Sequence, residues 1–110
     1  MINNLIETTL KKVGILVEHL TTDTYDDKYI IYSIYSDTEF ANYDNENEEE
    51  LYRINVKFYY KNKEDIKLIK KIKGCMKDSD FYFSNGEELR KEDNYFGYSL
   101  YFIYECIKEE

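Results

Sequence analysis

One histidine, two cysteines and no apolar run near membrane-spanning length are what these 110 residues leave out, and each absence removes a class of function. His19 stands in a Val-Glu-His-Leu setting with no nucleophile beside it, so neither a Ser/His/Asp nor a Cys/His apparatus is expected. Cys75 and Cys106 lie far apart, and neither has a Cys or His at ligand spacing, which argues against zinc and against a CxxC redox pair. They read as buried free thiols. No apolar stretch approaches the roughly 18 residues that cross a bilayer, and Met1 leads into Asn3 and Asn4 without a basic stretch and apolar signal core. No membrane association and no signal-directed export are expected. P-loop, dinucleotide and metalloprotease signatures are missing, as are internal repeats. The alternation Asp44, Glu46, Glu48 has a calcium-like look but lacks the glycine and the spaced terminal Glu of an EF-hand. No catalytic, cofactor or metal residues are therefore assigned.

What is present is aromatic and acidic. The length suits one domain with a single core. Thirteen tyrosines and six phenylalanines supply much of the 43% hydrophobic content. Tyrosine keeps a polar end that wants a partner, so this apolar surface suits an assembly interface as well as a core. The formal charge of −8, from 23 acids against 15 bases, argues against specific nucleic-acid binding, whose affinity comes from neutralising phosphates.

Along the chain, Ile2, Leu5, Ile6, Leu10 and Val13 recur at helical spacing and Gly14 stands at the left-handed cap position, giving a helix over about 2–13. Ile15 to Val17 reads as a brief strand, Thr21 to Asp27 as a loop, and Tyr29 to Tyr35 as a strand apolar on both faces. Asp37 to Glu50 holds seven acids and no Lys or Arg, which reads as a mobile loop. From Leu51 to Tyr60 the pattern alternates, with Tyr52, Ile54, Val56, Phe58 and Tyr60 on one side and Arg53, Asn55, Lys57 and Tyr59 on the other. Asn62 reads as the N-cap of a helix over Lys63 to Lys77, with Ile66, Ile69, Ile72 and Met76 as its buried stripe and its lysines on a solvated face. Phe81 to Phe83 reads as a short strand, Ser84 to Asn94 as a charged connection, and Phe96 to Cys106 as an alternating last strand. The expected fold is one α+β domain over residues 1–110: a mixed or antiparallel sheet of about four strands, two helices packed on one face, and a mobile acidic loop at 37–50.

In its order of elements the chain resembles the small tail terminator or tail completion proteins of tailed bacteriophages and of prophage-derived tails in low-GC Gram-positive bacteria. Tyr29-Ile30-Ile31-Tyr32-Ser33-Ile34-Tyr35 is similar to that family's first long strand, and Thr38 to Tyr43 to the acidic or Asn-containing segment after it. Tyr52 to Tyr60 resembles the second strand, and Ile72-Lys73-Gly74-Cys75-Met76-Lys77 the end of the helix. Phe81 with Glu87 to Asp93, and then Tyr98 to Tyr104, resemble the closing region. Relatives often carry a proline near the equivalent of Ile15 to Val17, and this chain has none.

The resemblance implies a non-enzymatic virion protein that forms a ring, commonly a hexamer, at the head-proximal end of the tail tube. Such a ring stops tube polymerisation and gives the head connector a docking surface. It implies as partners other copies of the chain, the tube protein, and the sheath and head-tail connector. DNA passes through the ring without specific binding, and the location is the virion tail or a tail-like particle, reached from the host cytoplasm during assembly. Candidate ring-contact residues are Tyr29, Tyr35, Tyr59 and Tyr101; candidate lumen-facing acids are Asp37, Glu39, Asp44, Glu46, Glu48, Glu49 and Glu50. A head-tail joining protein of the same fold group, and a small acidic intracellular binding or inhibitor protein, are the alternative readings.

Overall fold

The structure, a computed structural model, describes residues 2–21, 26–41 and 48–108. Helix α1 (Ile2–Lys11) is followed by strands β1 (Leu16–His19), β2 (Lys28–Ala41) and β3 (Glu48–Tyr60). A 3-10 segment (Lys63–Lys67) leads into helix α2 (Leu68–Asp78), and strands β4 (Tyr82–Glu92) and β5 (Tyr95–Lys108) complete the chain. The sheet has five strands in the order β1-β2-β3-β5-β4, one more than expected, and the class is α+β. Among the described residues only β1 pairs parallel, Leu16 to His19 against Tyr29 to Tyr32; the other neighbours are antiparallel. Because β5 runs against both β3 and β4, those two are parallel, and β3, α2 and β4 form a β-α-β unit with β5 inserted between its strands.

Both helices lie on one sheet face, and the sequence alternation sets which face. Ile54, Val56, Phe58 and Tyr60 of β3 meet Ile30 and Tyr32 of β2 and Leu100 and Phe102 of β5 in one buried layer. Ile6 and Leu10 of α1 and Ile69, Ile72 and Met76 of α2 close over it. Thr9 donates to the Ser79 hydroxyl at 3.1 Å, tying the first helix to the end of the second. Gly14 takes φ +88, the left-handed conformation anticipated for it after α1.

Three expectations are corrected. The stretch Asp37 to Glu50 is not a loop throughout: Asp37 to Ala41 pair with Tyr52 to Glu48 as the far end of the β2–β3 hairpin, while 42–47 lie outside the described residues. The two strands are 14 and 13 residues long, and β5 flanks Glu48 to Glu50, so backbone pairing outweighs the side-chain repulsion that suggested a loop. Ser84 to Asn94 is β4 and its turn, not a bare connection. Asp93 (φ 50) and Asn94 (φ 70) both adopt left-handed conformations, the two-residue hairpin turn that suits the twist of antiparallel strands. Finally, Lys63 to Lys67 is 3-10, with Asn62 extended and making no side-chain cap bond. Three residues per turn rotate Ile66 off the apolar stripe, and it is 50% exposed.

Candidate assembly surface

Among the described residues neither helix covers the second sheet face, and the alternation that filled the core also dictates what stands there. Register places Tyr29 and Ile31 of β2, Tyr59 of β3, Tyr101 and Ile103 of β5 and Leu89 and Tyr82 of β4 on this side. A bulge in β2 adds Tyr35: Ile34 pairs with Ile54 but Ser36 with Arg53, so Tyr35 is the extra residue and its ring meets Tyr101 edge-on at 5.9 Å. The bulge also reverses parity, sending Asp37 and Glu39 to the side of Tyr52 and Glu50.

The four tyrosines expected as contact residues thus share one face, in two pairs. Tyr29 and Tyr59 stack at 5.1 Å; Tyr35 and Tyr101 meet four residues further along β3 and β5, about 13 Å away at 3.3 Å per residue. Their exposure differs: Tyr35 is 53% exposed, whereas Tyr29 is at 6% and forms a floor. Between the pairs lies a buried polar patch in which the Asn55 amide donates to Ser99 Oγ at 2.6 Å and to the Leu100 carbonyl at 3.3 Å. The Tyr101 hydroxyl donates to Glu87 at 3.1 Å.

Tyr95 was not among the expected contacts, yet it completes the Tyr29 pair. Its ring meets Tyr29 edge-on at 5.3 Å, and its hydroxyl donates to the Asp26 carbonyl at 2.7 Å. Tyr29, Ile31, Tyr59, Tyr95, Glu92 and Asp93 line an open cleft of ≈ 540 Å³. Gly97 keeps this region close-packed, since a Cβ there would stand 3.0 Å from Leu89 Cβ and 3.2 Å from Tyr59 Cε1. Burial, with the Glu92 carboxylate nearby, pushes the Tyr59 hydroxyl above its ordinary pKa. The odd-numbered positions of β5, opposite in parity to its core positions, were the signal that Tyr95 and Ile103 belong to this face.

The acids separate into distinct environments. Asp37, Glu39 and Glu49 are exposed at the far end of the β2–β3 hairpin. Glu50 is not a solvated acid: it is 3% exposed and accepts a hydrogen bond from the Tyr52 hydroxyl. Burial, with Asp37, Cys106 and Glu39 around it, raises the Tyr52 pKa. Glu48 pairs with Ala41 and Lys108 in the sheet, and Asp44 and Glu46 lie outside the described residues.

Lysines gather along α2 and the segment before it, while Arg53 and Lys57 of β3 stand on the open sheet face with Tyr59. Lys67, Lys70 and Lys71 are exposed, and Lys73 lies over the Phe83 ring at 4.4 Å. Lys28 pairs with Asp65 at 3.7 Å. Among the described residues no three His, Cys, Asp or Glu side chains converge as a metal site requires, and no helix is long and apolar enough to cross a membrane. Neither models of known protein families nor curated proteins match this sequence.

Proposed function

We propose that this chain is a structural subunit of a phage-type tail, a terminator that assembles into a hexameric ring on the head-proximal end of the tail tube. The observation that carries the reading is the uncovered sheet face, on which Tyr29, Tyr35, Tyr59 and Tyr101 come together with Ile31, Leu89, Tyr95 and Ile103. A sheet face this rich in aromatics, left without a second layer, is surface for another protein. Ring contacts are heterologous and close by rotation, so a subunit needs two unlike surfaces, and an aromatic sheet face opposite a lysine-bearing helix supplies them. The tube protein binds one rim of the ring, and the sheath and head-tail connector are its further neighbours. Asp37, Glu39 and Glu49, exposed on both faces of the far end of the β2–β3 hairpin, put that end at the lumen and keep DNA phosphates from sticking during passage.

Light scattering of the protein alone and with its co-encoded tube protein, with imaging of tube lengths, tests this. Rings seated at one end of shortened tubes are expected; a chain that neither binds tubes nor limits their length removes the reading. Asp37→Asn, Glu39→Gln and Glu49→Gln together should leave capping intact and slow DNA release. Release and infectivity equal to the parent would remove the lumen role alone.

A further inference from the structure

Asn85 is followed by Gly86, and no other asparagine in the sequence precedes a glycine. The sheet decides what the main chain of this pair can do. The Lys61 N–H donates to the Asp27 carbonyl at 3.0 Å, one step beyond the Lys28–Tyr60 pair, so 27 and 61 form a hydrogen-bonded pair. Such pairs alternate with non-hydrogen-bonded ones along antiparallel strands, and each residue turns its N–H and carbonyl to the same side. Tyr59, Lys57 and Asn55 therefore turn theirs to β2, and Phe58, Val56 and Ile54 to β5. In β5, Leu100 and Phe102 face β3, which leaves Ser99 and Tyr101 facing β4. Asn85 and Glu87 thus bond to β5, whereas the N–H and carbonyl of Gly86 point outward. The Leu20 N–H, which donates to the Tyr32 carbonyl at 2.9 Å, agrees with this alternation by placing that carbonyl on the β1 side of β2. Among the described residues no strand lies beyond β4, so the Gly86 N–H stands at a free edge.

We propose that Asn85 is a self-modification site, converting to aspartate and isoaspartate without an enzyme. The Gly86 nitrogen attacks Asn85 Cγ: the N–Cγ bond forms, the Cγ–Nδ2 bond breaks, and the Gly86 proton leaves with Nδ2 as ammonia, closing a succinimide ring. Water then opens the ring at either carbonyl, so amide and water become carboxylate and ammonium. Asn85 is exposed, and Gly86 has no Cβ to shield its nitrogen. The Ser84 hydroxyl donates to Asn85 Oδ1 at 3.2 Å, the atom on which negative charge develops as the nitrogen adds. Ser84 is the extra residue of a bulge, since pairing passes from Phe83–Phe102 to Asn85–Tyr101, and the ladder is interrupted there. The sheet cannot do without this glycine, because a Cβ at 86 would stand 2.7 Å from Tyr98 Cε1. Asn55 is the contrast: it is buried, its amide donates to Ser99 and Leu100, and Val56 follows it. Either product adds a negative charge beside Glu87 and Glu88. Isoaspartate also sends the main chain through Cβ, an added backbone atom that puts Glu87 out of step with Ser99 and breaks its bond from Tyr101. This chemistry needs no partner and stands apart from the tail reading.

Hydrogen exchange and peptide mapping of the full chain test it. The Gly86 N–H should exchange faster than those of Asn85 and Glu87; equal protection would put the nucleophile inside the ladder and overturn the proposal. Held folded in mildly alkaline buffer, the protein should release ammonia and gain the amide-to-acid mass at residue 85 before any other asparagine, as a mixture of aspartate and isoaspartate. A parallel sample in guanidinium chloride reports the rate of the unfolded chain. Conversion at 85 in denaturant with none in the folded protein, or another asparagine converting first, would overturn it. Asn85→Gln, whose longer side chain must close a larger ring, should abolish the early mass gain, and a gain that persists in this variant would place the reaction elsewhere. Ser84→Ala should convert about threefold more slowly, as loss of one hydrogen bond to the developing oxyanion implies. A rate equal to the parent's would overturn the part given to Ser84.

Discussion

At Tyr32 a phenol is carried fully into the core, with Glu7 as the polar neighbour of its hydroxyl. Burial pushes its pKa far above the ordinary range, helped by Glu7 nearby, and the ring stacks on His19 at 4.7 Å. A buried hydroxyl held only by this neighbour returns little, so Tyr32→Phe is expected to shift stability by less than about 1 kcal/mol, read from the urea midpoint at unchanged m-value. Tyr32, Tyr52, Tyr59 and Tyr60 all have raised pKa values, each chiefly through burial. A folded-state pKa above the unfolded one gives stability that is complete below about pH 10, the unfolded value, and is lost as pH rises through the folded one. Phenolate absorbance and circular dichroism should therefore change together in alkali; buried tyrosines ionising ahead of unfolding would contradict the burial assigned to them. At this scale the sequence was informative wherever parity decides. The even positions of β3 and β5 are core, and Tyr59 and Tyr101 fall on the open face, as alternation requires. Parity could not announce that Tyr29 would be covered, because its neighbour Tyr95 comes from a strand end distant in sequence.

Among the elements, the two hairpin ends were the hardest to read, for opposite reasons. Glu48 to Glu50 carry three like charges in a row, yet they are held between β2 and β5 by backbone bonds that a composition argument does not see. In β4 the core-facing side is thin, with only Phe83 among its members packing against the core, so its alternation is faint in the sequence. The clue was the Asp93-Asn94 dipeptide, two residues that tolerate positive φ. Asn94→Val is expected to cost about 1–2 kcal/mol by forcing a β-branched residue left-handed, while Asn94→Gly holds or raises the melting temperature. The 3-10 segment before α2 gives a contrast between neighbouring isoleucines. Ile69→Ala should cost about 2–5 kcal/mol, as emptying a core site does, whereas Ile66→Ala should stay within about 0.5 kcal/mol. Similar losses at both would mean that the α-helical stripe begins earlier than Leu68.

The whole molecule is long for its size, 52 × 23 × 22 Å, because the β2–β3 hairpin and β5 extend together. Its charge is uneven as well, with lysines concentrated along α2 and acids toward the far hairpin end, visible in the sequence as the basic run of α2 and the base-free stretch from Asp37 to Glu50. What composition could not convey is that the sheet is covered on one side only, since that depends on both helices choosing the same face. The strand order has a further consequence, for how the molecule comes into being. β2 with β3 and β4 with β5 are local hairpins, but β3 and β5 are neighbours only after α2 and β4 have been made. With no proline in the chain, no prolyl isomerisation delays that joining, and refolding from urea should show a single phase. Until β5 emerges from the ribosome, one edge of the 13-residue β3 has no strand to pair with. The interval between synthesis of Tyr60 and of Tyr95 is therefore when a nascent chain is most prone to pair with another, and a chain stopped before Tyr95 should collect in the insoluble fraction.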